Sequence, residues 1–250
     1  MQQTLKLIRD RYSERSAFDA KRPVAKADLK MILEAARWAP TPNNMQNFEI
    51  VVVDDKRQLE QIGKVPAYMS EEFLRENYAE LSFSEEELRI RKSGMLASDF
   101  PPAWTDPQAW DESSDARFQL TFLERAVQEN PLLLIVLYDG SKRAPGSERD
   151  IVGHVGLGCV MENMWLMAEA LGIGFRVLTV IRDSPVEREV KKILRTPPHM
   201  RVGFACALGY PVKSSRETYL RVRRDLGDFV HHNEYGQRDS ELERTSIDTE

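Results

Sequence analysis

Four apolar runs, separated by long helical or irregular stretches, restrict the possible folds of this chain most strongly. They lie at residues 48–54, 132–139, 175–181 and 202–210, and each is rich in β-branched or aliphatic side chains. Such runs predict buried strands. Strands separated in this way indicate an α+β or α/β order, and 250 residues are enough for one domain or a domain with a large insertion.

A helix and an amide-rich loop are predicted to lead into the first strand. Residues 26–38 form an amphipathic pattern whose apolar face carries Leu29, Ile32, Leu33 and Ala36. The helix is expected to stop at Ala39 and Pro40, because proline cannot continue the helical hydrogen bonds. Residues 41–47, here called the amide loop, read Thr-Pro-Asn-Asn-Met-Gln-Asn. Side-chain amides held by prolines offer donors and acceptors at nearly fixed positions.

A second polar segment lies nearer the N-terminus, where residues 11–15 read Arg-Tyr-Ser-Glu-Arg. Two guanidinium groups and a serine hydroxyl within five residues suit a phosphate and a carbonyl edge. Taken alone, the segment is more typical of a solvated, charged helix end.

The longest predicted helix, residues 150–171, is apolar on several sides and carries Gly153, Gly156 and Gly158 near its start. Glycine lowers helix propensity, so these positions predict a close approach by another part of the backbone. The spacing does not match a dinucleotide-binding fingerprint, because no strand precedes it and the third glycine is missing.

These segments together resemble the nitroreductase family of FMN-dependent oxidoreductases. Members begin with Arg-x-Ser-x-Arg/Lys, followed by a helix, a loop of the form Ala-Pro-Ser-x-x-Asn-x-Gln-Pro-Trp and a strand. Residues 162–174 resemble the family's central helix, residues 207–211 its Leu-Gly-Tyr-Pro strand end, and residues 221–231 its closing basic element. The chain departs from the pattern at Asn47 and Phe48, where Pro-Trp is usual, and at Glu14, a position that is commonly apolar.

The resemblance implies an α+β fold of the nitroreductase type, with a mostly antiparallel central sheet flanked by helices in a domain-swapped homodimer. It implies FMN as cofactor and NAD(P)H as electron donor. Arg15 would contact the N1/C2 edge of the flavin ring, whereas Arg11, Ser13 and Arg223 would bind the phosphate. Asn44 and Gln46 would line the ring or the substrate, or else act as loop-capping amides. The full set of predicted cofactor-binding residues is Arg11, Tyr12, Ser13, Arg15, Thr41, Asn43, Asn44, Gln46, Leu178, Thr179 and Arg223.

Thr179 is the predicted catalytic residue. Its hydroxyl would reach the flavin N5, as a threonine does in the iodotyrosine deiodinase branch of this superfamily. A packing role for a β-branched residue in a strand explains Thr179 equally well.

Residues 65–130 form an insertion with 14 acidic and 6 basic residues, and 9 of the 21 aromatic residues of the chain. Residues 71–81 and 85–96 are predicted to be short helices, and the proline-rich stretch 99–110 is predicted to be irregular. Long ordered loops often act as lids. The insertion is therefore predicted to cover the flavin, with Trp104 and Trp110 contacting an aromatic substrate, although a solvated helical decoration remains the alternative.

Composition excludes several other classes. A net charge of −5 argues against a nucleic-acid partner. The four histidines have no metal-ligand spacing, so no metal site is predicted, and Cys159 and Cys206 are both predicted to lie in the core. The longest apolar run is too short to span a membrane, and the protein is predicted to be soluble and cytoplasmic. Residues 1–235 are predicted to form a single domain, and residues 236–250 a disordered tail.

The predicted function is transfer of reducing equivalents from NAD(P)H to an aromatic electrophile, such as a nitroaromatic or a quinone, by a ping-pong mechanism. Two alternatives remain. One is a flavin-dependent reductive dehalogenase or dehydrogenase on the same fold, and the other is a flavin-binding protein with little turnover.

Overall fold

The computed structural model describes residues 2–109, 118–119, 123, 127, 132–146, 148–182, 184–213 and 220–238. The helices are α1 (Gln2–Asp10), α2 (Lys26–Arg37), α3 (Lys56–Gly63), α4 (Glu71–Asn77), α5 (Glu85–Arg91), α6 (Pro102–Thr105), α7 (Ile151–Ala170) and α8 (Ser184–Ile193). The strands are β1 (Glu49–Val53), β2 (Tyr68–Met69), β3 (Ser82–Phe83), β4 (Met95–Leu96), β5 (Phe118–Gln119), β6 (Leu132–Asp139), β7 (Gly174–Val177) and β8 (Met200–Gly209).

Two compact units make up the chain. The first contains Met1–Tyr68 and Gln119–Arg216, and the second contains Met69–Phe118 and Glu217–Glu250. The predicted tail beyond residue 238 and Trp110 lie outside the described residues.

The first unit is built on a four-stranded sheet in the order β1-β6-β8-β7, and every neighbouring pair is antiparallel. The predicted mixed fold with an antiparallel central sheet is thus confirmed. The two central strands are buried along most of their length, which explains why their sequences are continuously apolar rather than alternating.

Side chains on β6 alternate between two cores, as the two-residue period of a strand requires. Leu133 and Ile135 pack with residues of α3 and α8 on one face of the sheet. Leu134 and Val136 pack with α2 and α7 on the other. The unit is therefore a sheet between two helical layers. Cys206 belongs to the second core, where burial raises the pKa of its thiol.

Helix α7 crosses the sheet face as the central element of one layer. Within the described part of the chain it is the one helix long and apolar enough to cross a membrane, with a mean hydropathy of 1.2. Gly156, Val160, Met164 and Ala168 are buried in the protein, so its apolar composition serves packing. A Cβ on Gly156 would lie 3.1 Å from Pro42 Cδ, so the close backbone approach predicted for this helix is found at Gly156.

The third predicted strand ends earlier than expected. Residues 175–181 were predicted to be extended, but β7 stops at Val177, and Thr179–Arg182 form a 3₁₀ turn. The turn follows a last bond from Leu178 N–H to Ala205 O at 2.8 Å, and it inserts Ile181 into the core. Apolar residues in a buried turn have the same composition as a buried strand, which explains the error.

The second unit contains α4, α5 and α6. Ser84 and Glu87 form a capping box that starts α5, and this bonding lowers the pKa of the Glu87 carboxyl. The helix ends at Arg91, not at residue 96, because Lys92 adopts a left-handed backbone conformation with φ of 55°. The predicted irregularity of residues 99–110 is also wrong in part, since α6 and the 3₁₀ turn Pro107–Ala109 each begin with a proline that helices tolerate there.

Candidate functional site

The N-terminal element, defined as residues 11–16, follows α1 without regular structure and is bonded to strand β7. Glu14 N–H donates to Phe175 O at 3.0 Å. In return Arg176 Nε donates to Glu14 O at 2.9 Å, and Arg176 also donates to Ser16 O. The sheet edge thus fixes the backbone of this element in place.

Glu14, in the middle of the N-terminal element, bonds to side chains two residues away on either side. Glu14 is fully buried, and its carboxylate accepts a bond from the Tyr12 hydroxyl at 2.6 Å. The same carboxylate accepts the Ser16 N–H at 2.9 Å and the Ser16 hydroxyl at 2.7 Å. Sequence reasoning noted Glu14 as a departure from the family pattern but gave it no role.

Arg11, Ser13 and Arg15 are, with Tyr12, the predicted cofactor ligands of this element. Arg11 lies with its guanidinium carbon 4.7 Å from the centre of the Trp165 ring, and its Nε is 3.4 Å from Glu162 Oε1. Arg15 is exposed, and its Nη1 lies 3.5 Å from Ser13 O. Trp165 Nε1 donates to Tyr12 O at 3.0 Å, which ties the element to α7.

Positive charge exceeds negative charge within this element. Arg11 and Arg15 are its two cations, and Glu14 is its one acidic residue. A donor set of guanidinium and hydroxyl groups with excess positive charge suits a phosphate monoester.

The amide loop is strained in a way that points to function. Asn43, Asn44 and Gln46 have φ of 47°, 54° and 46°, although none is glycine. Residues in this left-handed region cost free energy and concentrate at binding sites. The Gln46 N–H donates to Thr41 Oγ1 at 3.1 Å, and Gln46 Nε2 donates to Asn44 Oδ1 at 3.1 Å. These bonds hold exposed amide groups in defined positions.

Both segments contact helix α7. The amide loop meets it at Gly156, and Arg11 meets it at Glu162 and Trp165. Gly156 and Glu162 are six residues apart, which corresponds to about 9 Å along a helix. One rigid helix therefore holds the two segments at a fixed spacing.

A cavity of about 20 Å³ lies where the loop meets the start of α7, lined by Thr41, Asn47, Tyr138 and Gly156 among others. Its volume suits about one water molecule.

Leu178 and Thr179 lie directly after β7. The Leu178 side chain is buried in the core, so a bound molecule could contact its backbone but not its side chain. Thr179 is exposed at the start of the 3₁₀ turn. Its hydroxyl is accessible to a ligand, in a turn rather than in the strand that the sequence predicted.

The other predicted residues belong to the second unit. Arg223 is exposed, with its Nη1 2.7 Å from Val222 O. Trp104 packs edge to face with Tyr78 at a centroid distance of 5.1 Å and stacks with Phe100 at 6.4 Å. Lys92 forms an ion pair with Asp225, which raises the pKa of the Lys92 ammonium and joins the C-terminal segment to α5. Across the described residues, no group of three His, Cys, Asp or Glu side chains could hold a metal ion.

The family model of the nitroreductase family matches residues 8–210. The chain belongs to the nitroreductase family. This match extends from α1 to the end of β8 and includes the N-terminal element, the amide loop and Thr179. No curated protein matches the sequence well enough to count as a relative.

Solved structures of nitroreductases share the fold. A proposed NADH dehydrogenase/NAD(P)H nitroreductase from Parabacteroides distasonis is 19% identical with a TM-score of 0.59, covering 93% of this chain and 99% of its own. A proposed nitroreductase in complex with FMN from Desulfovibrio desulfuricans is 18% identical with a TM-score of 0.58, covering 92% and 96%. An oxidized iodotyrosine deiodinase bound to FMN and 3-iodo-L-tyrosine is 23% identical with a TM-score of 0.51, covering 84% and 90%.

Proposed function

We propose that this protein is an FMN-dependent oxidoreductase that passes reducing equivalents from NAD(P)H to an aromatic electrophile such as a nitroaromatic or a quinone. The observation that carries the proposal is the N-terminal element, where the predicted ligands Arg11, Ser13 and Arg15 flank the buried Glu14 carboxylate and its hydrogen-bond partners Tyr12 and Ser16. Membership of the nitroreductase family and the FMN bound in similar structures support it.

The predicted ligands have different roles in holding FMN. Arg11 and Ser13 would bind the phosphate, with Arg223 as a further ligand. Arg15 would lie at the N1/C2 edge of the ring, where a cation favours the reduced form. Tyr12, Thr41, Asn43 and Leu178 would border the cofactor, and Asn44 and Gln46 would orient the ring or the substrate.

When bound, FMN supplies the ring that accepts hydride from NAD(P)H and passes it to a second substrate in the same site. The exposed Thr179 hydroxyl would donate a hydrogen bond at N5, which influences the available electron steps. The strained amide loop keeps its donors oriented before any substrate arrives, so no binding energy is used to order them.

The first test is the identity and retention of the flavin. We expect FMN, not FAD, to copurify, because the ligands proposed are phosphate ligands and the chain has no adenosine-binding fingerprint. Arg223→Ala should weaken FMN binding by about 1–3 kcal/mol, the range of charge-assisted hydrogen bonds, which is a rise in Kd of roughly 5- to 150-fold. Fluorescence titration of the apoprotein with FMN measures this.

Arg224→Ala is the matched control. Arg224 donates to Asp228 O and lies over the Phe229 ring, so its loss perturbs the same segment without removing the proposed ligand. Equal affinity of wild-type and Arg223→Ala protein for FMN would contradict the assignment of Arg223. Purified protein without flavin and without affinity for added FMN would contradict the proposed function.

A reductive dehalogenase is the second candidate, and the exposed Thr179 favours it. Halide release from a halophenol by the reduced protein would support this alternative. Rapid oxidation of the reduced protein by a quinone or nitroarene supports the first candidate. Slow reaction with every acceptor would instead indicate a flavin-binding protein with little turnover.

A further inference from the structure

We propose that Glu14 is a positioning residue whose buried carboxylate orients Arg11, Ser13 and Arg15 toward the cofactor. The proposal rests on the proposed function, because the molecule to be held is FMN. It assigns a role to a side chain that replaces an apolar residue of the family pattern.

Hydrogen bonds hold the buried Glu14 carboxylate in place. A buried charge is costly unless it is paired and hydrogen-bonded. Glu14 is fully buried and accepts bonds from three donors, one of Tyr12 and two of Ser16. Arg176 is 7% exposed and binds the carbonyl groups of Glu14 and Ser16. The charge is therefore compensated within the element itself and at the sheet edge.

The side chains of the N-terminal element follow a two-residue period. The Tyr12 and Ser16 side chains both donate to the Glu14 carboxylate, so the three side chains share one side of the element. Phe18 continues the series and is buried. The two-residue spacing of these contacts places the intervening residues on the opposite side. The bonds made by Glu14 thus determine which way Arg11, Ser13 and Arg15 face.

The absence of a side chain at Gly174 leaves space for the Glu14 side chain. A Cβ on Gly174 would lie 3.1 Å from Glu14 Cγ and 2.7 Å from Phe18 Cε1. Phe175 stacks on Trp165 at a centroid distance of 4.9 Å, and Trp165 bonds to Tyr12 O. Strand β7 and helix α7 therefore form a rigid wall around Glu14, so its bonds set one conformation.

An apolar residue at position 14 would not serve the same purpose. It would fill the space but leave the Tyr12 hydroxyl and the Ser16 N–H without this acceptor. Part-buried donors that lose their acceptor are unfavourable, so the backbone would shift to satisfy them. In this chain Tyr12, Glu14 and Ser16 thus form a coupled set.

The test compares Glu14→Gln with Glu187→Gln. Glutamine keeps the size of the side chain but replaces one acceptor oxygen with a donor that faces other donors. Glu187 is also a buried glutamate, 5% exposed, and it accepts bonds from Val202 N–H and Arg201 in a part of the fold with no proposed flavin contact. It reports the general effect of neutralising a buried carboxylate.

We expect Glu14→Gln to raise the Kd for FMN at least tenfold and to lower the midpoint potential of the bound flavin. The potential should fall because a misplaced Arg15 stabilises the reduced flavin less. Glu187→Gln should leave the Kd and the potential at wild-type values. Unchanged Kd and potential in Glu14→Gln, with wild-type FMN binding intact, would overturn this inference alone.

Variants that each remove one hydrogen bond to Glu14 keep the inference testable if Glu14→Gln does not fold. Tyr12→Phe and Ser16→Ala each remove donors to the carboxylate, and each should raise the Kd for FMN by a smaller factor. Their combined effect should be non-additive, since both act through Glu14. Additive effects, or none, would overturn the inference. Wild-type protein that does not bind FMN would overturn the proposed function, and this inference with it.

Discussion

Gln46 shows most clearly what composition alone does not reveal. The amide-rich sequence with its prolines correctly predicts an exposed polar loop. It does not predict that three residues other than glycine, Asn43, Asn44 and Gln46, take positive φ. Local propensity disfavours this conformation for glutamine. The conformation persists because Thr41 Oγ1 accepts a hydrogen bond from the Gln46 N–H, and because α7 packs against the loop at Gly156. Such tertiary support is not visible in a single sequence.

The strain at Gln46 can be measured by comparing Gln46→Gly with Gln46→Ala. Both variants lose the side-chain amide, but glycine adopts positive φ without steric cost whereas alanine does not. Gln46→Gly should therefore be more stable than Gln46→Ala by about 1 kcal/mol, measured by urea denaturation. Equal stabilities would show that the backbone relaxes here and that the loop is not strained. Because both lack the amide, both should bind FMN or substrate less tightly than wild type.

The elements of the insertion were predicted in outline but not at their ends. The start of α5 follows from Ser84 and Glu87, whose spacing matches a capping box. The predicted end of α5, residue 96, is too far along the chain. Gly94, which has φ of 103° and lies just beyond the true end, is the local signal for an earlier stop. Residues 71–81 were predicted as one helix, but α4 ends at Asn77 because Tyr78 leaves helical geometry with ψ of −61° and φ of −126°. Tyr78 then packs against Phe100 and Trp104, and this contact between distant residues could not be predicted from a local pattern.

Replacement of Trp104 tests whether the insertion selects substrate. Trp104→Ala combined with Trp110→Ala should raise the KM for a large aromatic acceptor several-fold, because aromatic pairing is worth roughly 0.5–1.5 kcal/mol beyond burial. FMN content and turnover of a small quinone should stay nearly unchanged, since neither tryptophan belongs to the predicted flavin ligands. Steady-state kinetics with the two acceptors measure the difference.

Trp104→Phe is the control for packing. Phenylalanine keeps an aromatic ring against Tyr78 and Phe100, so it should preserve the unfolding temperature better than alanine does. Loss of flavin in the double alanine variant, or an equal loss of activity on every acceptor, would mean that the insertion is structural and not a lid.

The ordered motifs were sufficient to predict the family, and the resemblance implied the antiparallel sheet. Strands β6 and β8 are apolar enough to be recognised as strands without their neighbours. The alternation of the N-terminal element could not be predicted, since it depends on bonds from Glu14 to β7. The two-unit division also has no local signal, because residues 217–250 join residues 69–118 from far along the chain. The sequence therefore predicts which residue types could bind a ligand, whereas contacts between distant residues determine the direction in which their side chains point.

Assembly is the remaining prediction, and it concerns the outer face of α7. The helix is apolar on the side away from the sheet as well, where Ile151, Val152 and Val155 are 63%, 44% and 60% exposed. A helix that is apolar on all sides is normally buried, so this face is expected to pack against a second copy of the chain. We expect wild-type protein to be a homodimer in light scattering, with the flavin sites dependent on the dimer.

Val155→Asp places a charge on this face and should shift the protein toward monomer, with loss of FMN. Ile90→Asp is the matched control, because Ile90 is 74% exposed on α5 and outside the proposed interface. It should remain dimeric with full flavin content. Because a buried unpaired carboxylate is unfavourable, the effect of Val155→Asp should diminish as pH falls and the aspartate becomes protonated. A wild-type monomer that retains flavin would refute the dimer, and a dimer that tolerates Val155→Asp would place the interface on another face.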